Sequence, residues 1–248
     1  MKKSFAVMFL CFLVAGLLHA EVLLDQTFDD ASGKMSPGKL LKRVNLVTVE
    51  PGPAAMGGTP AAHFLDSSAE ETGILEYNLE KAGAFLISFD VLNNTPAAED
   101  GFRLIFGMGK DDQSKSVKLG SAANRAFSLE IDQLASKGLS VRIGKESAFK
   151  GSYDGASVQQ VKIWVNDNDT AKLSYIRPDT KAAAQLNPDS VVVWINDKLV
   201  ADESDSGVAM QTVVSVGDAV LARLGFVSQS KGTADFWIDN LHVESVSP

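Results

Sequence analysis

Ala126-Phe-Ser-Leu-Glu-Ile-Asp132 alternates apolar and polar residues along its length. A period of 2 belongs to an extended strand, whose successive side chains point to opposite faces. An amphipathic helix would instead bring its apolar residues round every three to four positions. On this reading Leu129 and Ile131 face a core, and Glu130 and Asp132 face away from it. The same rhythm extends in both directions. Upstream, Val22-Leu-Leu-Asp-Gln-Thr-Phe28 runs into Asp29-Asp30, Ala84-Phe-Leu-Ile-Ser-Phe-Asp-Val-Leu92 into Asn93-Asn94, and Gly101-Phe-Arg-Leu-Ile-Phe106 into Gly107. Downstream, further runs cover residues 138–143, 158–165, 173–176, 190–195, 219–227 and 234–243. Turn residues separate them. No stretch longer than ten residues carries a helical stripe; residues 179–189 alone predict one helical turn. Many short strands divided by turns predict an all-β, antiparallel two-sheet sandwich. Residues 50–60, rich in Gly and Pro, read as a surface loop rather than a linker, so a single domain is expected.

The N-terminus has its own logic. Lys2 and Lys3 precede an apolar run from Phe5 to Leu18, and His19-Ala20 then meets Glu21. A short positive region, an apolar stretch too short to span a bilayer comfortably and a small residue at the junction make residues 1–20 a predicted signal peptide. The domain expected to fold is 21–248. The only cysteine, Cys11, lies inside the apolar run, preceded by Met8-Phe9-Leu10, which does not suit lipid attachment. Removing 20 of 248 residues leaves 228 with no cysteine, so apolar burial alone must hold the fold. The whole chain carries −8, and loss of Lys2 and Lys3 makes it −10. An acidic chain with no basic cluster in its sequence argues against nucleic acid as partner. No second long apolar segment follows, so no membrane insertion is expected after signal removal. Localisation is predicted to be secreted or periplasmic, by bacterial export.

Four pieces, in order, carry a family resemblance. They are Phe28-Asp29-Asp30 at the end of the first strand; a middle block of Ile87-Ser-Phe-Asp90, Phe102-Arg-Leu-Ile-Phe-Gly-Met-Gly109, Leu129-Glu-Ile-Asp132 and Leu139-Ser-Val-Arg142; a pair formed by Val161-Lys-Ile-Trp-Val-Asn166 and Val191-Val-Val-Trp-Ile-Asn-Asp-Lys-Leu-Val200; and Phe236-Trp-Ile-Asp-Asn-Leu-His-Val243. Together they resemble the concanavalin A-like lectin and glucanase domains, laminin-G-like modules included. The resemblance implies a jelly roll of two curved sheets, first and last strands side by side, and sugar bound on a concave face or at loop edges. Asn196-Asp197 reads as a hairpin turn.

Laminarinase-like members of that group place two Glu and one Asp two residues apart on one strand, where two of the carboxylates flank the scissile bond. Here Glu130 and Asp132 fill two places and Leu134 the third. The acid/base group is missing, so the sequence predicts binding without cleavage. Two other readings stay open: a polysaccharide-active enzyme of the same fold, hydrolase or lyase, and a structural or adhesive module. His63 and His242 read as ordinary strand residues. If their strands are neighbours, Arg103, Glu130, Asp132, Arg142, Lys162 and Trp164 share one polar face. That face is either solvated and laced with ion pairs or a glycan site, with Trp164 stacked on a sugar ring and the polar groups holding hydroxyls. The expected partner is a polysaccharide or other glycan. No cofactor is required by any motif. Calcium is the one candidate ion, with Asp29, Asp30 and Asp239 as oxygen ligands if the first and last strands pair. The acidic stretches at 166–170 and 202–207 lack a full calcium-loop pattern and read as turns.

Overall fold

A computed structural model describes residues 20–29, 39–43, 47–66, 73–79, 83–94, 103–110, 125–132, 138–143, 146–152, 157–200, 205–210, 221–229 and 234–247. Residues 1–19 of the expected signal peptide, Asp30, Leu134 and residues 202–204 of the 202–207 stretch lie outside them.

The strands form two large antiparallel sheets. The back sheet has nine strands, in the order β15 (Lys198–Leu199), β14 (Ser190–Ile195), β11 (Gln159–Asn166), β6 (Ala84–Asn93), β18 (Ala234–Val246), β4 (Pro60–Asp66) and β3 (Val47–Pro51). β1 (Val22–Gln26) joins β18, and β16 (Val208–Ala209) joins β14. The front sheet has seven: β10 (Glu146–Ser152), β9 (Gly138–Ile143), β8 (Phe127–Asp132), β7 (Arg103–Lys110), β17 (Leu221–Gln229), β5 (Ile74–Asn78) and β2 (Lys39–Arg43). A two-stranded hairpin, β12 (Leu173–Ile176) and β13 (Ala183–Leu186), stands apart.

Alternation builds the core. Phe85, Ile87, Phe89 and Val91 of β6 meet Leu104, Phe106 and Met108 of β7 and Leu224 and Phe226 of β17 between the sheets. Phe89, Phe106 and Phe226 tie the layers together, with ring centroids 5.0 or 5.1 Å apart. Such tilted and edge-on pairs are favoured by the ring quadrupoles. First and last strands do lie side by side, Asp25 opposite His242 and Gln26 opposite Leu241. Asn196 and Asp197 both take positive φ, 49° and 59°, between the paired Ile195 and Lys198. This is the two-residue turn expected of that dipeptide.

The outer side of the back sheet carries a second apolar cluster. Trp164, Val192 and Trp194 are covered there by Leu173, Tyr175, Ala184 and Leu186 of the β12–β13 hairpin. Asn166 fastens the hairpin down, donating from Nδ2 to the carbonyls of Ala171 and Asn187 at 2.9 Å each. The helical turn expected within residues 179–189 is not formed. Ala183-Ala-Gln-Leu186 is a strand instead, because pairing with β12 and burial of Ala184 and Leu186 outweigh the high helical propensity of alanine. The 50–60 loop is present and holds one 3₁₀ turn at Ala54–Met56, but the strands on either side of it pair as a hairpin that the sequence pattern did not signal.

Candidate functional site

Away from the core, the front sheet presents a second set of residues in rows. Register places Glu76, Gly225, Gly107, Ser128 and Arg142 in one row across β5, β17, β7, β8 and β9. A second row holds Ile74, Val227, Ile105, Glu130 and Ser140, and a third Gln229, Arg103 and Asp132. Asn78 and Arg223 pair beside the first row. The strand positions of Arg103, Glu130, Asp132 and Arg142 therefore do share one face on three adjacent strands.

The middle of that face is shaped by two glycines. Gly107 and Gly225 are direct partners, so a side-chain-free patch two strands wide opens in the sheet. A Cβ on Gly107 would stand 2.8 Å from Arg125 Cδ, and one on Gly225 would stand 3.1 Å from Glu76 Cγ. Arg125 thus lies over one glycine and Glu76 leans over the other. Paired strand residues sit roughly 5 Å apart, so a cationic and an anionic stem are laid down next to each other. Glu76, Arg125, Ser128, Glu130 and Arg223 are all buried. Charged groups with this little water around them need partners, and Glu76, Arg125, Glu130 and Arg223 each have one within the chain.

Lys162 and Trp164 do not belong to this face. They lie on β11 in the back sheet, on its outer side, so the expected six-residue cluster divides between the two outer surfaces of the sandwich. Alternation assigned each residue correctly to the side away from the core, but β9 and β11 belong to different sheets. Trp164 is 7% exposed and packs against Tyr175, ring centroids 5.0 Å apart. It is part of the hairpin's apolar seat, not an open platform. Lys162 Nζ donates to Asp197 Oδ1 at 3.1 Å.

Of the calcium candidates, Asp30 lies outside the described residues, Asp29 follows β1 and Asp239 belongs to β18, with which β1 pairs. Asp239 sits at a bulge in β18, where Asn240 takes a φ of 52°. Its carboxylate accepts from the Asn240 N–H at 2.8 Å and from the Thr59 hydroxyl at 3.3 Å. Burial raises its pKa, these two donors oppose the rise, and the negative charges of Asp29 and Asp90 add to it. Among the described residues no group of three His, Cys, Asp or Glu side chains is arranged to hold a metal ion.

His63 is not the ordinary strand residue expected of it. Its ring is stacked on Trp237 with centroids 3.8 Å apart and planes 8° from parallel. Nδ1 pairs with Glu50 Oε1, and Nε2 lies 2.9 Å from Asp235 Oδ1. Trp237 Nε1 donates to the same Asp235 oxygen at 3.0 Å. Burial pulls the His63 pKa down, and the hydrogen bonds and charges of Asp235 and Glu50 outweigh it, so the net shift is upward.

Sequence reasoning missed Glu76, Arg125, Arg223 and the glycine pair. Ile74-Leu-Glu-Tyr-Asn78 is too short to stand out as a strand, and Arg125 precedes its strand. Gly225 inside the run 219–227 was the available signal, since a glycine in a strand interior marks close approach of another group.

No protein-family profile and no curated protein matches the chain. Solved structures do resemble it. The carbohydrate recognition domain of Emp47p superposes with a TM-score of 0.57 at 8% identity, over 92% of this chain and 98% of that one. The cellulose induced protein Cip1 gives 0.51 at 10% identity, over 90% and 97%. The binding domain of botulinum neurotoxin DC, solved with rat synaptotagmin II, gives 0.52 at 14% identity, over 92% of this chain and 49% of that one. At such identities the likeness concerns architecture alone. Two packed antiparallel sheets, first strand beside last, and these superpositions show a concanavalin A-like fold.

Proposed function

We propose that this chain binds carbohydrate on the outer face of its front sheet, without cleaving it, after export and removal of residues 1–20. The observation that carries the reading is the set of polar strand positions that register gathers around Gly107 and Gly225, on the face turned away from the apolar core. Sugar hydroxyls both donate and accept, and they are held best by ionised partners in a poorly hydrated site. Arg103, Asp132 and Arg142 extend that set along neighbouring strands. The fold adds support, since the Emp47p domain is a carbohydrate recognition domain. The reading without cleavage is supported by Leu134, which stands where the laminarinase-like mechanism would need its third carboxylate. Bacterial export and secretion, or retention in the periplasm, rest on the signal-peptide pattern.

The test is a glycan array with the purified chain, with and without calcium, beside Glu130→Gln. Binding by the wild type, lost in the variant while its circular dichroism is unchanged, supports the site. Calcium dependence would assign a role to Asp29 and Asp239. A folded protein that binds no glycan overturns the reading and leaves the structural or adhesive module.

A further inference from the structure

Beyond residue 20 the chain has two histidines, His63 and His242, and both stand on the outer side of the back sheet between two carboxylates. His63 of β4 pairs through Nδ1 with Glu50 of β3, and its Nε2 lies 2.9 Å from Asp235 Oδ1 of β18. His242 of β18 is the register partner of Asp25 of β1. Its Nδ1 lies 3.4 Å from Asp25 Oδ1 and its Nε2 3.7 Å from Glu244 Oε2. In each case one carboxylate belongs to a strand with a single ladder partner among the described strands. β3 pairs with β4, and β1 with β18. Each histidine thus joins an edge strand to β18, one at either end of that strand. Both edge strands reach the core, β1 through Leu24 and β3 through Val47.

We propose that the two histidines form a pH-operated clasp along β18, closed under mildly acidic conditions, that lets β1 and β3 fray ahead of the rest of the sandwich as the rings lose their charge. The chemistry is that of imidazole. A charged ring donates from both nitrogens and can satisfy a carboxylate on each side; a neutral ring donates from one and turns a lone pair toward the other. An edge strand has ladder hydrogen bonds on one side only, so loss of a side-chain tie weighs more there than in the middle of a sheet. Other groups facing the rings from neighbouring strands have partners of their own. Thr48 of β3 donates to Glu50 Oε1 at 3.2 Å, and Trp237 of β18 stacks on the His63 ring. Opposite His242 stands Ser88 of β6, with Asp90 along the same strand and Lys162 of β11 beyond it. Asp90 accepts from Asn240 Nδ2 at 2.8 Å, and Lys162 Nζ donates to Asp197. Asp239 of β18, near Asp29, accepts from Thr59 and the Asn240 N–H. The direction agrees with His63, whose pKa Asp235 and Glu50 raise above 6.5 against the effect of burial. Its tie is complete below 6.5 and is lost as pH rises through the folded value.

The experiment is amide hydrogen exchange of the full chain, read by mass spectrometry at about pH 6 and about pH 9. Division by the rates of the unfolded chain removes the chemical dependence of exchange on pH, and peptides from β6 and β11 serve as the internal reference. Relative to that reference, protection of β3 should fall roughly tenfold from the lower pH to the higher, and that of β1 roughly threefold, because the His242 contacts are longer and more exposed. His63→Gln should flatten the pH dependence of β3 and leave that of β1 in place; His242→Gln should do the reverse. Should either ring be needed for folding, Glu50→Gln and Asp25→Asn make the same division from the carboxylate side. Relative protection that does not change with pH overturns the proposal, as does a pH dependence that survives all four substitutions. A fall shared equally by β6 and β11 also overturns it, because the whole sandwich and not its edges would then be opening.

Discussion

His63 ties together three strands of the back sheet, and the strength of the tie should depend on pH. Glu50 belongs to β3, at the edge of the sheet, His63 to β4 and Asp235 to β18. The folded-state pKa of His63 is raised above 6.5, so the folded chain holds this proton more tightly than the unfolded chain does. The resulting stabilisation is complete below 6.5 and is lost as pH rises through the folded value. Its size follows from exposure. The Glu50 and Asp235 side chains are 45% and 28% exposed, so water competes for both. Each charged bond is then worth about 0.5–1 kcal/mol, or about 1–2 kcal/mol for the two. His63→Phe removes both bonds while keeping an aromatic ring against Trp237. Thermal unfolding of the two proteins, followed by circular dichroism across pH, should show the variant melting roughly 2–8 °C lower under mildly acidic conditions. The gap should narrow steadily toward alkaline pH. Taking the difference between the proteins cancels the other titrating groups. A gap that is independent of pH, or that widens as pH rises, would refute the clasp.

Three further outcomes follow from the same coordinates. Trp164→Ala should cost about 3–4 kcal/mol in urea denaturation, because it empties the hairpin's seat, and should leave glycan affinity within error of wild type. Gly107→Ala and Gly225→Ala should separate binding from stability. The first meets the flexible stem of Arg125 and should weaken ligand binding with little change in melting temperature. The second meets the Leu75 carbonyl oxygen at 2.4 Å, which is backbone, and should destabilise the β5–β17 pairing by about 1–3 kcal/mol. Asp167, pushed up to about 6 by burial and by the charges of Asp189 and Asp169, accepts a hydrogen bond from the Leu221 N–H. Ionising it costs the folded state stability as pH rises, so Asp167→Asn should stabilise the protein at neutral pH and have no effect below pH 3.8, measured by urea midpoints.

The sandwich was legible because each long strand repeats the same decision. Through Phe85–Val91 the alternation alone separates core from surface and burial follows it, whereas in Phe127–Ile131 the residues on the far side from the core, Ser128 and Glu130, are buried as well. What alternation does not carry is which strands are neighbours. Arg142 and Lys162 look equivalent in the chain, each polar between apolar residues, yet β9 pairs with β8 and β11 pairs with β6. Trp164 looked exposed for the same reason: it is on the outer side of its sheet, and a hairpin more distant in sequence covers it. Its burial is a consequence of β12 and β13, whose eight residues contain no long apolar run.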